Sequence, residues 1–369
     1  MTRGATHPSE RFPLARTAHP VPEAERAAIL AAPGFGRHFT DHMASAVWTP
    51  EADWHNHAVA ALEPFSLHPS AAVLHYAQEI FEGLKAYRHA DGSVWLFRPE
   101  RNARRFARSA ERMGLPALPE DDFLAGIEAL IRADEPWVPV TTGEESLYIR
   151  PFMFAAESFL GVRPAERIVH CVIACPAQPY FASATSGVTL WVSRSYTRAG
   201  RGGTGAAKCG GNYGASLAAQ VEAEANGCDQ VLYLDSAGED GCVEESGAMN
   251  LFLVTSRGEL ITPALGTILE GITRDTVLAL APEFGLTPVE RAVTFKELST
   301  GITDGTVTEV FAAGTAAVIT PVAGIKGEGY ALTIGGGEPG KQTAALRERV
   351  LDIQYGRVED THGWLRRAC

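Results

Sequence analysis

The chain has 369 residues, which predicts about two domains at roughly 100–200 residues each. With 46% hydrophobic and 21% charged residues, the composition argues against disorder, collagen and a simple coiled coil. The net charge of −12 makes non-specific binding of nucleic acid or an anionic membrane a poor default, although a local basic groove stays compatible with it. Glycine is the outlier, with 37 residues.

The first 20 residues contain no apolar run long enough for a signal-peptide core and read as a loosely draped N-terminus. Pro22–Ala32 reads as a short helix. Residues 93–98 read as a strand and 100–113 as a helix with Phe106, Ala110 and Met113 on one stripe. Asp121 or Asp122 caps a further predicted helix that carries Phe123, Ile127, Leu130 and Ile131 at helical spacing. Residues 146–154 and 167–175 are strand-like. Pro176–Thr185 has the composition of a connector and marks the expected domain boundary. The expected division is a domain over 1–180, a linker over 181–198 and a domain over 199–369.

The second half is expected to open with a strand at 188–193, a glycine-dense loop at 200–214 and a helix from Ala215. Strands follow at 230–235, 250–256, 258–263, 308–314 and 330–334, and helices at 273–284, 295–300 and 342–353. This mixed succession favours α+β or barrel-like mixed sheets over a Rossmann sheet. Val310–Ile325 is nearly apolar but too short to span a bilayer, and reads as a strand, a turn and a second segment. The six cysteines are scattered, without a CxxC pair, so no disulfide framework and no metal site is expected; the setting expected is cytoplasmic.

Five segments could carry chemistry. GRGGTGAAKCGGNYG (200–214) surrounds a single lysine, Lys208, with small residues, so its backbone can approach a ligand closely. Lys208 is either a solvated loop lysine or an amine presented to a phosphate or carbonyl. GGGEPGK (335–341) matches GxxxxGK, but Gln342 stands where a phosphate loop needs Ser or Thr. GCVEESGAMN (241–250) sets Glu244 and Glu245 before an apolar strand: an exposed acidic turn, or a carboxylate for a pyridine nitrogen. LEGITRDTV (269–277) places Gly271 at a helix start whose free N–H groups suit a phosphate. FAAGTAAVI (311–319) breaks a strand into a Gly-Thr-Ala turn.

Together, FEGLKAYR (81–88), LYIRP (147–151), KCGGNYG (208–214), EESGAMN (244–250), LEGITR (269–274), AAGTAA (312–317) and DIQYG (352–356) resemble the branched-chain amino-acid aminotransferases. These are fold-type IV enzymes dependent on pyridoxal 5'-phosphate, and the likeness runs from about residue 35 to about 358. It implies a small N-terminal α/β domain, a larger C-terminal barrel-like domain and a homodimer. Lys208 would form the Schiff base with the cofactor. Tyr213 would bond the ring hydroxyl oxygen and Glu245, rather than Glu244, the pyridine nitrogen. Arg105, with Arg104 as the neighbour one register away, the amides of Ile272 and Thr273, and the Thr315 hydroxyl would hold the phosphate. Tyr76, Phe81, Tyr148 and Tyr180 would wall the apolar substrate pocket, and Arg150 would receive the distal carboxylate of glutamate. Thr315 and Ala316 would donate amides to the α-carboxylate, while Leu160 and Val162 would reach the neighbouring subunit's site.

The expected reaction moves the amino group of L-leucine, L-isoleucine or L-valine to 2-oxoglutarate. Ala317 and Thr320 stand where mammalian members carry a redox CxxC, so that switch is expected to be absent, and Ala248 replaces a threonine of some members. The alternatives are a D-amino-acid aminotransferase or an aminodeoxychorismate lyase on the same fold, an NTPase built on Gly335–Lys341, and a catalytically dead relative. The expected partners are small amino acids and 2-oxo acids, with neither nucleic acid nor membrane.

Overall fold

The computed structural model describes residues 11–140, 143–180, 187–235 and 241–369. They form two compact units. One holds the described residues up to Pro179 together with Ala207–Gly210 and Ile353–Cys369; the other holds Tyr180–Ala206 and Gly211–Asp352. Two later segments therefore return to the N-terminal unit.

The first unit begins with α1 (Glu23–Ala31), the hairpin β1 (His42–Thr49) and β2 (Asp53–Ala61), and α2 (Ala72–Tyr76). Then come β3 (Glu79–Phe81), β4 (Leu84–Arg88), β5 (Val94–Phe97), α3 (Pro99–Arg112), α4 (Glu120–Ala133), β6 (Ser146–Ala155) and β7 (Ile168–Ala177). The apolar runs of β6 and β7 pair antiparallel along their whole length, from Ser146 opposite Ala177 to Ala155 opposite Ile168. Helices α3 and α4 bury Phe106, Phe123, Ile127, Leu130 and Ile131, the residues whose spacing predicted them.

The second unit contains β8 (Val188–Val192), α5 (Gly210–Ala225, from its second residue), β9 (Gln230–Leu234), β10 (Val243–Ser246), β11 (Met249–Thr255) and β12 (Glu259–Thr262). It continues through α6 (Ile272–Leu280), β13 (Thr287–Glu290), α7 (Phe295–Asp304), β14 (Val307–Gly314), β15 (Val318–Gly327), β16 (Tyr330–Thr333) and the start of α8 (Lys341–Gln354). A last strand, β17 (Leu365–Arg367), pairs with β5, so the first sheet runs β17-β5-β4-β6-β7-β1-β2 with β3 on β6.

Strands β10, β9, β8, β15, β14 and β11 are neighbours in that order, and β10 pairs with β11, which closes a six-stranded barrel. The closing turn is tight: Glu245 pairs with Asn250 and Ser246 with Met249. Gly247 between them has φ +57°, which glycine adopts without penalty. The expected mixed, barrel-like architecture is therefore present. Val310–Ile325 is the expected strand, turn and strand. The six cysteines are free thiols, and burial pushes Cys171 up to about 12. No helix among the described residues is long and apolar enough to cross a membrane.

Several boundaries differ from expectation. Pro176 and Ala177 end β7 rather than open a connector; 181–186 lie outside the described residues, and β8 occupies 188–192 of the stretch expected as linker. Helix α5 starts at Gly210, five residues before Ala215, because its first N–H is taken by the Glu79 carboxylate. Helix α6 stops at Leu280, since Pro282 follows, and α7 extends to Asp304 under a Thr294 cap whose Oγ1 accepts from Glu297 N at 3.1 Å.

Candidate active site

Between β3 and β4 the chain passes through Glu82 and Gly83. Ile80 and Glu82 turn inward while Phe81 stays half-buried, the alternation of an extended chain. On α3 the buried Asn102, Arg105, Phe106 and Ser109 recur every three to four residues, so one helical face carries polar groups inward. The two meet in a fork. Arg105 donates from Nε to Glu82 Oε1 at 2.7 Å and from Nη2 to Oε2 at 2.8 Å. Asn102 Nδ2 and Gly83 N donate to Oε2 at 2.8 and 3.1 Å. Burial pushes the Glu82 pKa up, but Arg105, Lys208 and Asn102 outweigh it and hold the carboxyl below its usual range.

Lys208 is tied to the same elements through its backbone. Its N–H donates to Ser109 Oγ at 3.0 Å and its carbonyl accepts from Phe81 N at 2.9 Å. Its Nζ lies 4.6 Å from the centre of the Phe81 ring. The Arg150 guanidinium lies 4.8 Å from the same ring and donates to the Tyr148 hydroxyl at 3.0 Å. Phe35 packs edge-on against Tyr148, with ring centres 5.0 Å apart. Gly83 makes room for this tyrosine: a Cβ there would fall 2.1 Å from its hydroxyl oxygen. Glu79 sits near Arg150, and burial raises its pKa against the opposing effects of Gly210 N–H and Arg150.

The first unit thus brings Lys208, Arg105, Phe81, Tyr148 and Arg150 together. Arg104 instead lies on the exposed face of α3, 3.4 Å from Glu120. Tyr76 forms a separate group, its hydroxyl donating to the Leu160 carbonyl, and Leu160 and Val162 are 65% and 88% exposed. Tyr180, the first residue of the second unit, is exposed.

In the second unit Glu244 and Glu245 are not an exposed acidic turn. They lie in β10, both buried. Glu245 is held from three sides: Arg198 Nε at 2.5 Å from Oε2, and Asn250 Nδ2 and Leu269 N at 3.0 and 2.9 Å from Oε1. Arg198 is fixed in turn by donating to the carbonyls of Gly205 and Thr267 at 3.1 and 3.0 Å. Gly205 belongs there for steric reasons, since a Cβ would lie 1.8 Å from the Thr267 oxygen. Glu244 accepts from the Thr267 hydroxyl, and burial raises its pKa.

Asn250 connects this carboxylate to the start of α6. Its Nδ2 also donates to the Leu269 carbonyl at 3.0 Å, and its Oδ1 comes so near Gly271 that a Cβ would stand 2.0 Å away. Ile272 and Thr273 follow, buried, and no side chain caps this helix start. The turn with Thr315 and Ala316 joins β14 to β15 beside Met249, whose Cγ is 3.2 Å from a Cβ built on Gly314. Tyr213 is half-buried in the first turns of α5.

The start of α8, where an NTPase would hold phosphate, already has an anion. Glu309 accepts from Gln342 N at 3.0 Å on Oε1, and from Thr343 N and Oγ1 at 2.8 and 2.7 Å on Oε2. A Cβ on Gly340 would lie 2.0 Å from Glu309 Cδ. The GxxxxGK match is therefore a loop closed by an internal carboxylate. Glu309→Ala is expected to cost about 1–2 kcal/mol in urea unfolding, as loss of a helix cap does, whereas Lys341→Ala should leave the unfolding midpoint unchanged.

The amino-transferase class IV family matches residues 79–325, a span that includes the Glu82 fork, Lys208, Glu245 and the turn at Thr315. The chain belongs to the class IV aminotransferases. This class IV aminotransferase is 53% identical to the probable branched-chain-amino-acid aminotransferase of Streptomyces coelicolor, over 95% of this chain and 97% of that one. Among solved structures it is similar to the T.th. branched-chain amino acid aminotransferase complexed with N-(5'-phosphopyridoxyl)-L-glutamate. The TM-score is 0.70 at 31% identity, over 88% of this chain and 99% of that chain. The same T.th. enzyme complexed with 4-methylvaleric acid gives a TM-score of 0.71 at 31% identity, with the same shares covered.

Sequence reasoning did not single out Glu82, Asn102, Ser109, Arg198, Asn250 and Glu309. Glu82 lies inside FEGLKAYR and Asn250 ends EESGAMN, so motif membership marked both; helical spacing from Phe106 marked Asn102 and Ser109. Arg198 and Glu309 carry no local signal, because the groups that explain them, the Glu245 carboxylate and the start of α8, lie tens of residues away.

Proposed function

We propose that the protein is a pyridoxal-5'-phosphate-dependent aminotransferase that moves the amino group of L-leucine, L-isoleucine or L-valine to 2-oxoglutarate, yielding branched 2-oxo acids and L-glutamate. The observation that carries the reading is Glu245. A buried carboxylate paired with Arg198 is the kind of group needed to hold a proton on a pyridine nitrogen. The bound cofactor supplies the electron sink that stabilises negative charge at the substrate's Cα. The helix start at Ile272 and Thr273, bare of any side-chain cap, fits a phosphate.

Residue by residue, Lys208 would bond the cofactor's aldehyde and, once freed, its Nζ would carry the proton of the substrate's Cα. Arg105, the amides of Ile272 and Thr273, and the Thr315 hydroxyl would hold the phosphate, and Tyr213 the ring hydroxyl oxygen. Phe81, Tyr148, Tyr76 and Tyr180 would meet the apolar side chain, Arg150 the distal carboxylate of glutamate, and Thr315 and Ala316 the α-carboxylate. Arg150 stacked on Phe81 supports this double duty, since it puts a cation at the margin of an aromatic wall. The two T.th. complexes, one with a phosphopyridoxyl adduct of glutamate and one with a branched apolar acid, support the same pair. Leu160 and Val162 would serve the second subunit of a cytoplasmic homodimer.

The test is steady-state transamination with 2-oxoglutarate. The ratio kcat/KM for L-leucine should exceed that for D-alanine by at least about 100-fold. The opposite preference, or pyruvate release without an amino acceptor, would move the protein to one of the related activities.

A further inference from the structure

We propose that Glu82 is a positioning residue for the cofactor: it fixes the Arg105 guanidinium in the orientation that receives the cofactor's phosphate. The inference rests on the reading of Arg105 as a phosphate holder. Arg105 is buried on α3 and keeps its proton at any working pH, so it needs a fixed anionic partner. Glu82 is that partner, fully buried and bonded through two parallel N–H donors at 2.7 and 2.8 Å. A guanidinium is planar, so clamping the Nε and Nη2 edge also sets the direction of its other N–H groups.

Glu82 is itself held. Asn102 Nδ2 and Gly83 N donate to it, and Asn102 Nδ2 also donates to the Gly83 carbonyl at 3.2 Å. The carboxylate therefore has four donors on two oxygens and little freedom to turn. Its charge faces two cations, Arg105 and Lys208, so it offsets only part of the positive charge that meets a phosphate. The orienting effect is accordingly the larger, and losing Glu82 weakens the phosphate's hold.

The experiment compares wild type and Glu82→Gln as holoenzymes dialysed against graded pyridoxal phosphate or graded pyridoxal, which lacks the phosphate. Bound cofactor is read from visible absorption. Glu82→Gln should raise the half-saturating pyridoxal phosphate concentration about tenfold or more. The pyridoxal value should move by less than about twofold, and Glu82→Asp should recover most of the loss. In an Arg105→Gln background, Glu82→Gln should add no further phosphate-specific loss. Equal losses for both ligands, unchanged affinity or tighter binding overturn the proposal. If Glu82→Gln does not fold, Asn102→Ala carries the test, and a smaller loss confined to pyridoxal phosphate supports it while a loss shared by both ligands overturns it. A wild type that binds no pyridoxal phosphate overturns the underlying reading itself; a wild type that binds it, beside an unaffected Glu82→Gln, overturns only the role of Glu82.

Discussion

Replacing Lys208 with alanine is expected to lower kcat for transamination by at least about 10⁴-fold. The chemistry needs one amine that bonds the cofactor and then carries a proton, and loss of such a group is not compensated by neighbours acting separately. The fold should survive. The Lys208 side chain is half-buried, its ammonium rests on the Phe81 ring, and the bonds to Ser109 and Phe81 run through its backbone, which alanine keeps. Thermal unfolding is therefore expected to shift by no more than about 1 kcal/mol in stability. A folded Lys208→Ala protein that still transaminates at a wild-type rate would refute the assignment.

Glu245→Gln should damage both stability and rate. Glutamine keeps one oxygen for Asn250 and Leu269 but turns an amide toward Arg198, leaving a buried guanidinium without its anion. Breaking a buried pair from one side costs about 3–5 kcal/mol, measurable in urea unfolding. The rate should fall by about 10²–10³-fold even when the variant is fully folded, because a neutral amide cannot hold the ring nitrogen's proton as a carboxylate does. Glu244→Gln makes the control. Glu244 accepts from the Thr267 hydroxyl and has no ion pair as close as that of Glu245, and burial raises its pKa against the opposing effects of Thr267 and Arg198, so its loss should be far milder. A Glu244 variant more damaging to kcat than the Glu245 variant would exchange the two roles.

How much of this was legible depends on where the partners of each group lie in the chain. The α4 helix and the β6 and β7 strands were readable because their apolar periodicity is local and their faces are buried throughout. The hairpin of β1 and β2 was not. HMASAVWT and DWHNHAVAA mix polar with apolar residues on half-buried strands, and Asp53 and Asn56 take positive φ. The VEES strand was obscured by its two carboxylates. Charge reads as surface unless its partners are known, and Arg198 and Thr267 are far away in the chain. Arg105 could be told from Arg104 by helix geometry, since it shares a face with Asn102 and Ser109. The family motifs brought attention to the right residues, but only the fold displayed the Glu82 fork and the Glu309 cap.

The central claim is that one particular amine holds the cofactor. Borohydride reduction of the holoenzyme followed by peptide mass spectrometry reads this directly. The chain has five lysines, Lys85, Lys208, Lys296, Lys326 and Lys341, so the modified position is unambiguous. Lys85 is the sharpest internal competitor, being only 5% exposed on β4 of the same unit. A phosphopyridoxyl group on Lys208 alone is the predicted result; the group on Lys85 or any other lysine, or no modified lysine at all, would contradict the account.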